Sequence, residues 1–417
     1  MDYDRFITRK SAARQPSAIR ALQKFLNVPG MISLGGGNPH PSTFPYVSME
    51  FRLRNGELVT ISEEFTKKAL QYSPTNGLPE LVDWIRKLQI EEHGVPPRLD
   101  FDICLGTGSQ DVITRALEML VDASDTLLME SPAYVGTLAF LRPLGCKLAE
   151  VETDSDGLIP EKLEEVLSSW DNVETRPRVL YTVPTGGNPT GTSTTLERKE
   201  RIYEIAQDYD LIILEDDPYY YLQFGDNRIP SYLSMDIDQR VLRFDSFSKI
   251  LSAGIRLGWV TGPKPLVDRI VLHGQATSLH PSGISQAMVY GVLSKWGHDG
   301  FLQHADEVAT FYQEKRDAFL KAADEHLKGV AEWTVPSAGM FVWLKLLGIQ
   351  DSTALITQKA VEMKVLFVPG YEFMLNMHAT PYVRASYSTA TTSEMGEALK
   401  RLAELVTQAR QENESRH

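Results

Sequence analysis

A lysine set directly after a short apolar run, between hydroxyls and ahead of an arginine, is chemically loaded. Val241 to Asp245 leads into Ser246-Phe247-Ser248-Lys249, with Arg256 seven residues on and Gly258 beyond it. An amine in that position can form an imine with an aldehyde, and the hydroxyls and guanidinium suit a phosphate. A solvated surface lysine is the plainer reading, and the residues alone leave both open. A second arrangement follows Leu211 to Glu215, where Asp216-Asp217-Pro218-Tyr219 puts a carboxylate and a phenol three residues apart. Such acids can cap a helix; they can equally pair with a protonated ring nitrogen while the phenol bonds a ring oxygen. In a third, Ile103 to Thr107 precedes Gly108-Ser109-Gln110 and a helical pattern of Val112, Ile113, Leu117 and Leu120. Glycine before a helix start lets backbone N–H groups face an anion, or makes a tight cap. No GxxxxGK[ST] loop occurs, and Gly106-Thr107-Gly108 does not continue as GxGxxG, so ordinary nucleotide binding loses support.

The elements that must carry these residues alternate. Between about residues 101 and 262, strand candidates run Ile103 to Thr107, Thr126 to Glu130, Lys147 to Glu152, Val179 to Val183, Leu211 to Glu215, Val241 to Asp245 and Trp259 to Gly262. Helical patterns separate them, which predicts βαβ units and an α/β domain with a mostly parallel, seven-stranded sheet. Ligands gather at the carboxyl ends of such strands, where the three arrangements sit. After residue 300 a long polar helix is followed by strands over Met340 to Leu346, Val365 to Val368 and Tyr382 to Ser386, a smaller α+β unit. Its last helix puts Met395, Leu399, Leu402 and Val406 on one face, as core packing requires. The expected organisation is an arm over 1–30, an N-terminal part of the small domain over 31–50, a large domain over 51–300 and the rest of the small domain over 301–417. The arm has few apolar anchors and is expected to pack on something else.

Composition narrows the class. A chain of 417 residues with 42% hydrophobic content can bury a large core, and a net charge of -13 without basic blocks argues against nucleic acid. Cys104 and Cys146 lie in apolar surroundings and are expected to be buried free thiols. No run of about 18 apolar residues spans a membrane. Arg5, Arg9, Lys10, Arg14 and Arg20 have a presequence flavour that Asp2 and Asp4 oppose, so the cytosol and the mitochondrial matrix both stay open. Asn413-Glu414-Ser415 matches a glycosylation sequon, read as chance in a chain without a secretory signal. His40, His93, His273, His280 and His304 fall in no metal-ligand spacing, and no metal is expected.

Taken together, SFSK followed by GIRLGW, NPTG at Asn188 to Gly191, EDDPYY at Glu215 to Tyr220, QYSPTNGLPEL around Tyr72 and the late YVRASYS resemble the class I aminotransferases, and within them the kynurenine/α-aminoadipate aminotransferases. The resemblance covers nearly the whole chain. It implies the pyridoxal 5′-phosphate (PLP) transferase architecture of fold type I and a homodimer with shared active sites. Lys249 would then carry the cofactor as an imine and, once freed, move the substrate proton. Asp216 would hold the pyridine nitrogen protonated, Tyr219 and Asn188 would bond the ring oxygen, and Tyr134 would stack on the ring. Ser109, Gln110, Ser246, Ser248 and Arg256 would grip the phosphate, with Tyr72 reaching it from the neighbouring subunit. Arg384 would clamp the substrate α-carboxylate. Arg20, Gly37 and Leu279, with Tyr72 and Asn188, would line the substrate. The implied reaction moves an amino group from an L-amino acid, L-2-aminoadipate or L-kynurenine, to 2-oxoglutarate by ping-pong kinetics; a broad aromatic or branched-chain aminotransferase and a PLP-dependent lyase are the alternatives. The chain departs from the pattern of those aminotransferases at Asn38 and at Thr185-Gly186-Gly187, which bears on substrate choice rather than on cofactor chemistry.

Overall fold

The computed structural model describes the chain except residues 19–24, 26–27, 33, 97–98, 226 and 415–417. Ser415 of the sequon thus lies outside the described residues. In chain order the strands are β1 (Met49–Arg52), β2 (Leu58–Ile61), β3 (Phe101–Gly106), β4 (Thr126–Ser131), β5 (Lys147–Asp154), β6 (Gly157–Leu158), β7 (Val179–Thr182), β8 (Ile212–Asp216), β9 (Val241–Ser246), β10 (Gly258–Pro263), β11 (Ala331–Trp333), β12 (Phe341–Leu346), β13 (Val368–Pro369) and β14 (Tyr382–Ser386). Five helices matter below: α1 (Pro79–His93), α2 (Ser109–Leu120), α3 (Val135–Leu144), α4 (Lys264–Ala276) and α5 (Thr392–Glu414). The chain forms two compact units, one of 1–122, 212–218 and 230–304, the other of 123–211, 219–229 and 305–417.

In the first unit the strands lie in the order β3-β10-β9-β8. β8 and β9 are parallel, whereas β10 runs antiparallel to both its neighbours. Every residue of β8, β9 and β10 is buried, which is why they read as apolar runs rather than alternating ones. The described part of the N-terminal arm is anchored to this unit. Thr8 donates its backbone N–H to the Met119 carbonyl at 2.8 Å and its hydroxyl to that of Glu118 at 3.0 Å, Phe6 is buried, and His273 of α4 bonds the Ser11 hydroxyl at 2.9 Å. Polar contacts thus add to the anchoring that Phe6 supplies.

In the second unit β7, β4 and β5 are parallel, with β6 folding back antiparallel on β5. A separate antiparallel sheet has the order β11-β12-β14-β13. It shares a core with α5, where Met395, Leu399, Leu402 and Val406 meet Val342, Leu344 and Val383. The strand expected over Val365 to Val368 pairs only at Val368–Pro369: Lys364 has φ 59°, which turns the chain out of the preceding helix, and Leu366 points to solvent at 81% exposure. Cys104 is fully buried as expected, and burial pushes its thiol up to about 12; Cys146, placed just after the left-handed Gly145, is only half-buried.

Candidate active site

β9 runs without a break into a 3-10 turn at Phe247–Lys249. Two things fix that turn. Phe247 is fully buried against Trp259 and Phe301, with ring centroids 4.7 and 6.3 Å away, and the Ser246 hydroxyl accepts the Ser248 N–H at 3.1 Å. Lys249 thus leaves a wedged turn at the carboxyl end of a parallel strand, half-buried rather than on the open surface. Asp216 ends β8, the parallel neighbour of β9, and is 3% exposed.

The hydroxyls and the guanidinium come together. Arg256 donates to the Ser248 hydroxyl at 3.3 Å and, through its other terminal nitrogen, to the Thr107 carbonyl at 3.2 Å. Its own backbone is left-handed, φ 52° and ψ 53°, an uncommon conformation for a residue with a Cβ. Gly108 packs directly under this guanidinium: a Cβ there would lie 2.3 Å from an Arg256 nitrogen. α2 starts at Ser109 after Gly108, which has no side chain to cap it, and a helix start of this kind favours an anion. Gly258 closes the cradle from below, since a Cβ on it would meet the Ser109 nitrogen at 2.3 Å. A phosphate fits this donor set of helix start, hydroxyls and guanidinium, and two of the hydroxyls, on Ser248 and Ser246, lie one and three residues before Lys249 in sequence.

The second unit builds another polar focus. Asn188 and Arg384 are 196 residues apart in sequence, yet the Arg384 guanidinium donates to the Asn188 side-chain carbonyl at 2.8 Å. Its flat cation lies over Phe341 at 4.5 Å and Phe373 at 5.2 Å. The Nε of Arg384 is buried with no hydrogen-bond partner among the described residues, and desolvation lowers the guanidinium pKa from its ordinary value while Tyr219 and Tyr134 oppose that shift. A cation so placed favours a planar anion that can accept two bonds. Tyr219 is buried edge-on to Phe341 at 5.9 Å. Tyr134 precedes α3, its ring laid over Gly136, where a Cβ would meet it at 2.5 Å.

The loop bearing Asn188 explains the glycines at 186 and 187. Gly186 has φ +52°, and a Cβ on it would strike the backbone of Ala338 and Gly339 at 2.7 to 2.9 Å; Gly339, in turn, has φ +78° and faces the Gly186 carbonyl. Backbone lies on backbone there, so glycine at 186 has a steric reason. Of the remaining expected residues, Gln110 lies in the first turn of α2; Tyr72 is 51% exposed and edge-on to His280 at 5.9 Å; Leu279 holds φ 69°; and Gly37 has open space where a side chain would be. Arg20 lies outside the described residues.

Residues that the sequence reading passed over also build these sites. Phe341 and Phe373 wall the arginine, and Arg243 gathers three buried acids. A lone arginine inside an apolar strand beside EDD was the available signal for the last of these.

A wedged lysine turn at the end of a parallel strand, beside a phosphate cradle, defines a class: the PLP-dependent enzymes of fold type I. The model for "Aminotransferase class I and II" matches residues 31–402, and this chain belongs to that family. It is 45% identical to the mitochondrial kynurenine/alpha-aminoadipate aminotransferase of Bos taurus over 425 residues, 98% of this chain and 100% of the relative. Among solved structures it resembles the aromatic aminotransferase Aro9 of C. albicans, with a TM-score of 0.88, 27% identity and 98% of each chain covered. It also resembles the Pyrococcus horikoshii kynurenine aminotransferase solved with PMP, KYN and KYA, with a TM-score of 0.77, 29% identity and 98% of each chain covered. The chain is therefore a PLP-dependent aminotransferase that takes amino acids and oxo acids as substrates.

Proposed function

We propose that this aminotransferase moves the amino group of L-2-aminoadipate or L-kynurenine to 2-oxoglutarate. The observation that carries the donor choice is 45% identity along the full length of the bovine relative, whose name gives those two donors. PLP, when bound, supplies an aldehyde for the substrate amine and a conjugated ring that takes up electron density from Cα. The described residues fit it, and their roles are assigned one at a time. Ser109, Gln110, Ser246, Ser248 and Arg256 hold the phosphate. Asp216 keeps a proton on the ring nitrogen, since a buried carboxylate in contact favours the cationic form. Tyr219 and Asn188 bond the ring oxygen, and Tyr134 stacks on the ring.

Arg384 holds the substrate α-carboxylate between Phe341 and Phe373, which orients the Cα–H bond. The Lys249 amine would hold the cofactor and would serve as the base that takes the proton from the substrate Cα. Gly37 and Leu279 line the substrate side chain. Tyr72, half-exposed on one subunit, serves the phosphate of its neighbour in a homodimer. The large domain covers 51–300, with 31–50 and 301–417 forming the small one. No helix among the described residues is long and apolar enough to cross a membrane, and the relatives named as mitochondrial support the mitochondrial matrix as the compartment.

A panel of amino acids against 2-oxoglutarate tests the donor. Aminoadipate and kynurenine should turn over fastest; if both are inert while tyrosine or leucine react quickly, the donor assignment fails. The similarity to Aro9 favours aromatic donors as the second reading, and the same panel decides it. Borohydride should fix the cofactor to a peptide containing Lys249, and Lys249→Ala should lose turnover.

A further inference from the structure

Behind the cofactor side of β8 and β9 lies a knot of charge that the reaction above does not use. Side chains alternate along a strand, and the parallel register sets Glu215 beside Arg243 and Asp216 beside Phe244. Glu215 and Asp217 therefore leave the face opposite Asp216, and Arg243 and Asp245 share it. There Arg243 pairs with Asp217 at 2.9 Å, with Glu215 at 3.2 Å and, through Nε and a terminal nitrogen, with both oxygens of Asp245 at 3.0 and 2.8 Å. These side chains are 0 to 2% exposed. Glu215 is also served by the backbone amides of Tyr232 and Leu233 at 2.8 and 3.2 Å. Asp217 and Asp245, by contrast, are bonded only to the one guanidinium, and Asp217 Oδ1 has no hydrogen-bond partner among the described residues. One cation between two such carboxyls leaves an excess of buried negative charge, which a proton relieves.

We propose that Asp245 is a positioning residue of the aminotransferase: by holding or releasing one buried proton it sets the charge behind Asp216 and Lys249, and so the protonation of the bound cofactor. This rests on the roles given above to Asp216 and Lys249. Burial first, and then the neighbouring Asp217 and Glu215, push the Asp245 carboxyl up to about 7 against the pull of Arg243. The groups around it are few. From β10, Trp259 stands opposite Asp245 and Thr261 opposite Arg243, neither of them charged. Tyr232 comes from the loop that serves Glu215, and the titratable group of α1 next to that loop is His93, bonded to the Ser231 hydroxyl at 2.9 Å. Asp245 also lies one residue before Ser246, in the strand whose end carries Lys249. Above its midpoint the knot gains one negative charge on the far face of the sheet. That charge favours the protonated ring nitrogen and the protonated lysine nitrogen.

The test is a pH titration of the cofactor's absorbance in the purified holoenzyme, for the wild type, Asp245→Asn and Asp217→Asn. The wild type should titrate over a broadened range with a component near 7, and Asp245→Asn should give a single simple curve whose midpoint falls by roughly half to one pH unit, the size of one charge acting across a protein interior. Asp217→Asn removes a charge that opposes ionisation, so the component near 7 should move to lower pH. In the wild type itself, infrared difference spectra should show a neutral carboxyl band that disappears with the same midpoint. A variant curve that superimposes on the wild type, or a wild-type protein without that band, overturns the proposal. A wild-type holoenzyme with no lysine-linked band at all would instead defeat the functional reading on which it rests.

Discussion

Gly258→Ala should cost the enzyme its cofactor before it costs it its fold. Gly258 pairs with Gly106 on one side and Ser246 on the other, so it joins the two strands that lead into the phosphate cradle. An added Cβ would lie 2.3 Å from the Ser109 nitrogen, 2.7 Å from the Asp245 carbonyl oxygen and 2.8 Å from the Gly108 carbonyl carbon. All three are backbone atoms, so no side chain can swing away. Ordinary contact begins about 1 Å further out, and the start of α2 must move by roughly that much. Gly258 does not have a positive φ, so the penalty is steric and not conformational. Overpacking of this kind costs about 1–3 kcal/mol in stability. Misplacing one charge-assisted amide bond to the phosphate removes a further ~1.5–3 kcal/mol, which weakens PLP binding about 10- to 150-fold. Titrating the apoenzyme with PLP by absorbance measures it. Gly254→Ala is the control, because its Cβ would meet nothing nearer than the Ser252 hydroxyl at 3.8 Å. If Gly258→Ala binds PLP within about twofold of wild type, with the same melting temperature, the close-packed cradle is not what holds the phosphate.

Arg384→Lys keeps the charge but loses the fork between Phe341 and Phe373; kcat/KM for the amino acid should fall about 10- to 100-fold while PLP affinity is unchanged. Gly186→Ala forces a Cβ onto the Ala338 backbone at a φ of +52° and should lower stability by about 1–3 kcal/mol, read as a drop in urea midpoint. His273 is lowered to about 4, first by burial and then by Arg14, so its protonated form is disfavoured in the folded state. Its contribution is therefore complete above the ordinary histidine value and is lost as pH falls from about 6.5 toward 4; between pH 7 and pH 5 the wild type should lose about 2 kcal/mol that His273→Gln does not. Equal losses in both proteins, measured by urea unfolding, would show that His273 is not the titrating group. Tyr387→Phe removes a buried hydroxyl bonded to the Gly339 carbonyl at 2.8 Å and should cost about 1 kcal/mol without changing kcat.

Where a strand is buried on both faces, its apolar run announces it, and β3, β4, β7, β8, β9 and β10 were all readable for that reason. Lys249, Asp216 and the helix start at Ser109 were readable too, because short-range order places them at strand ends whatever the rest of the chain does. β10's antiparallel direction was not, since an apolar run carries no sign of the way it points. Arg243 was hidden for a related cause: a charged residue in an apolar run looks like an interruption until its partners at 215, 217 and 245 are brought around it.

The sequence by itself thus determined the elements, the lysine turn and the family chemistry, all of which depend on neighbours a few residues away. Tertiary structure alone decided that Asn188 meets Arg384, that Phe341 and Phe373 enclose it, and that Gly186 lies on Gly339. Those contacts join residues far apart in the chain, and their geometry comes from how sheets and loops pack, which no local pattern of residues encodes.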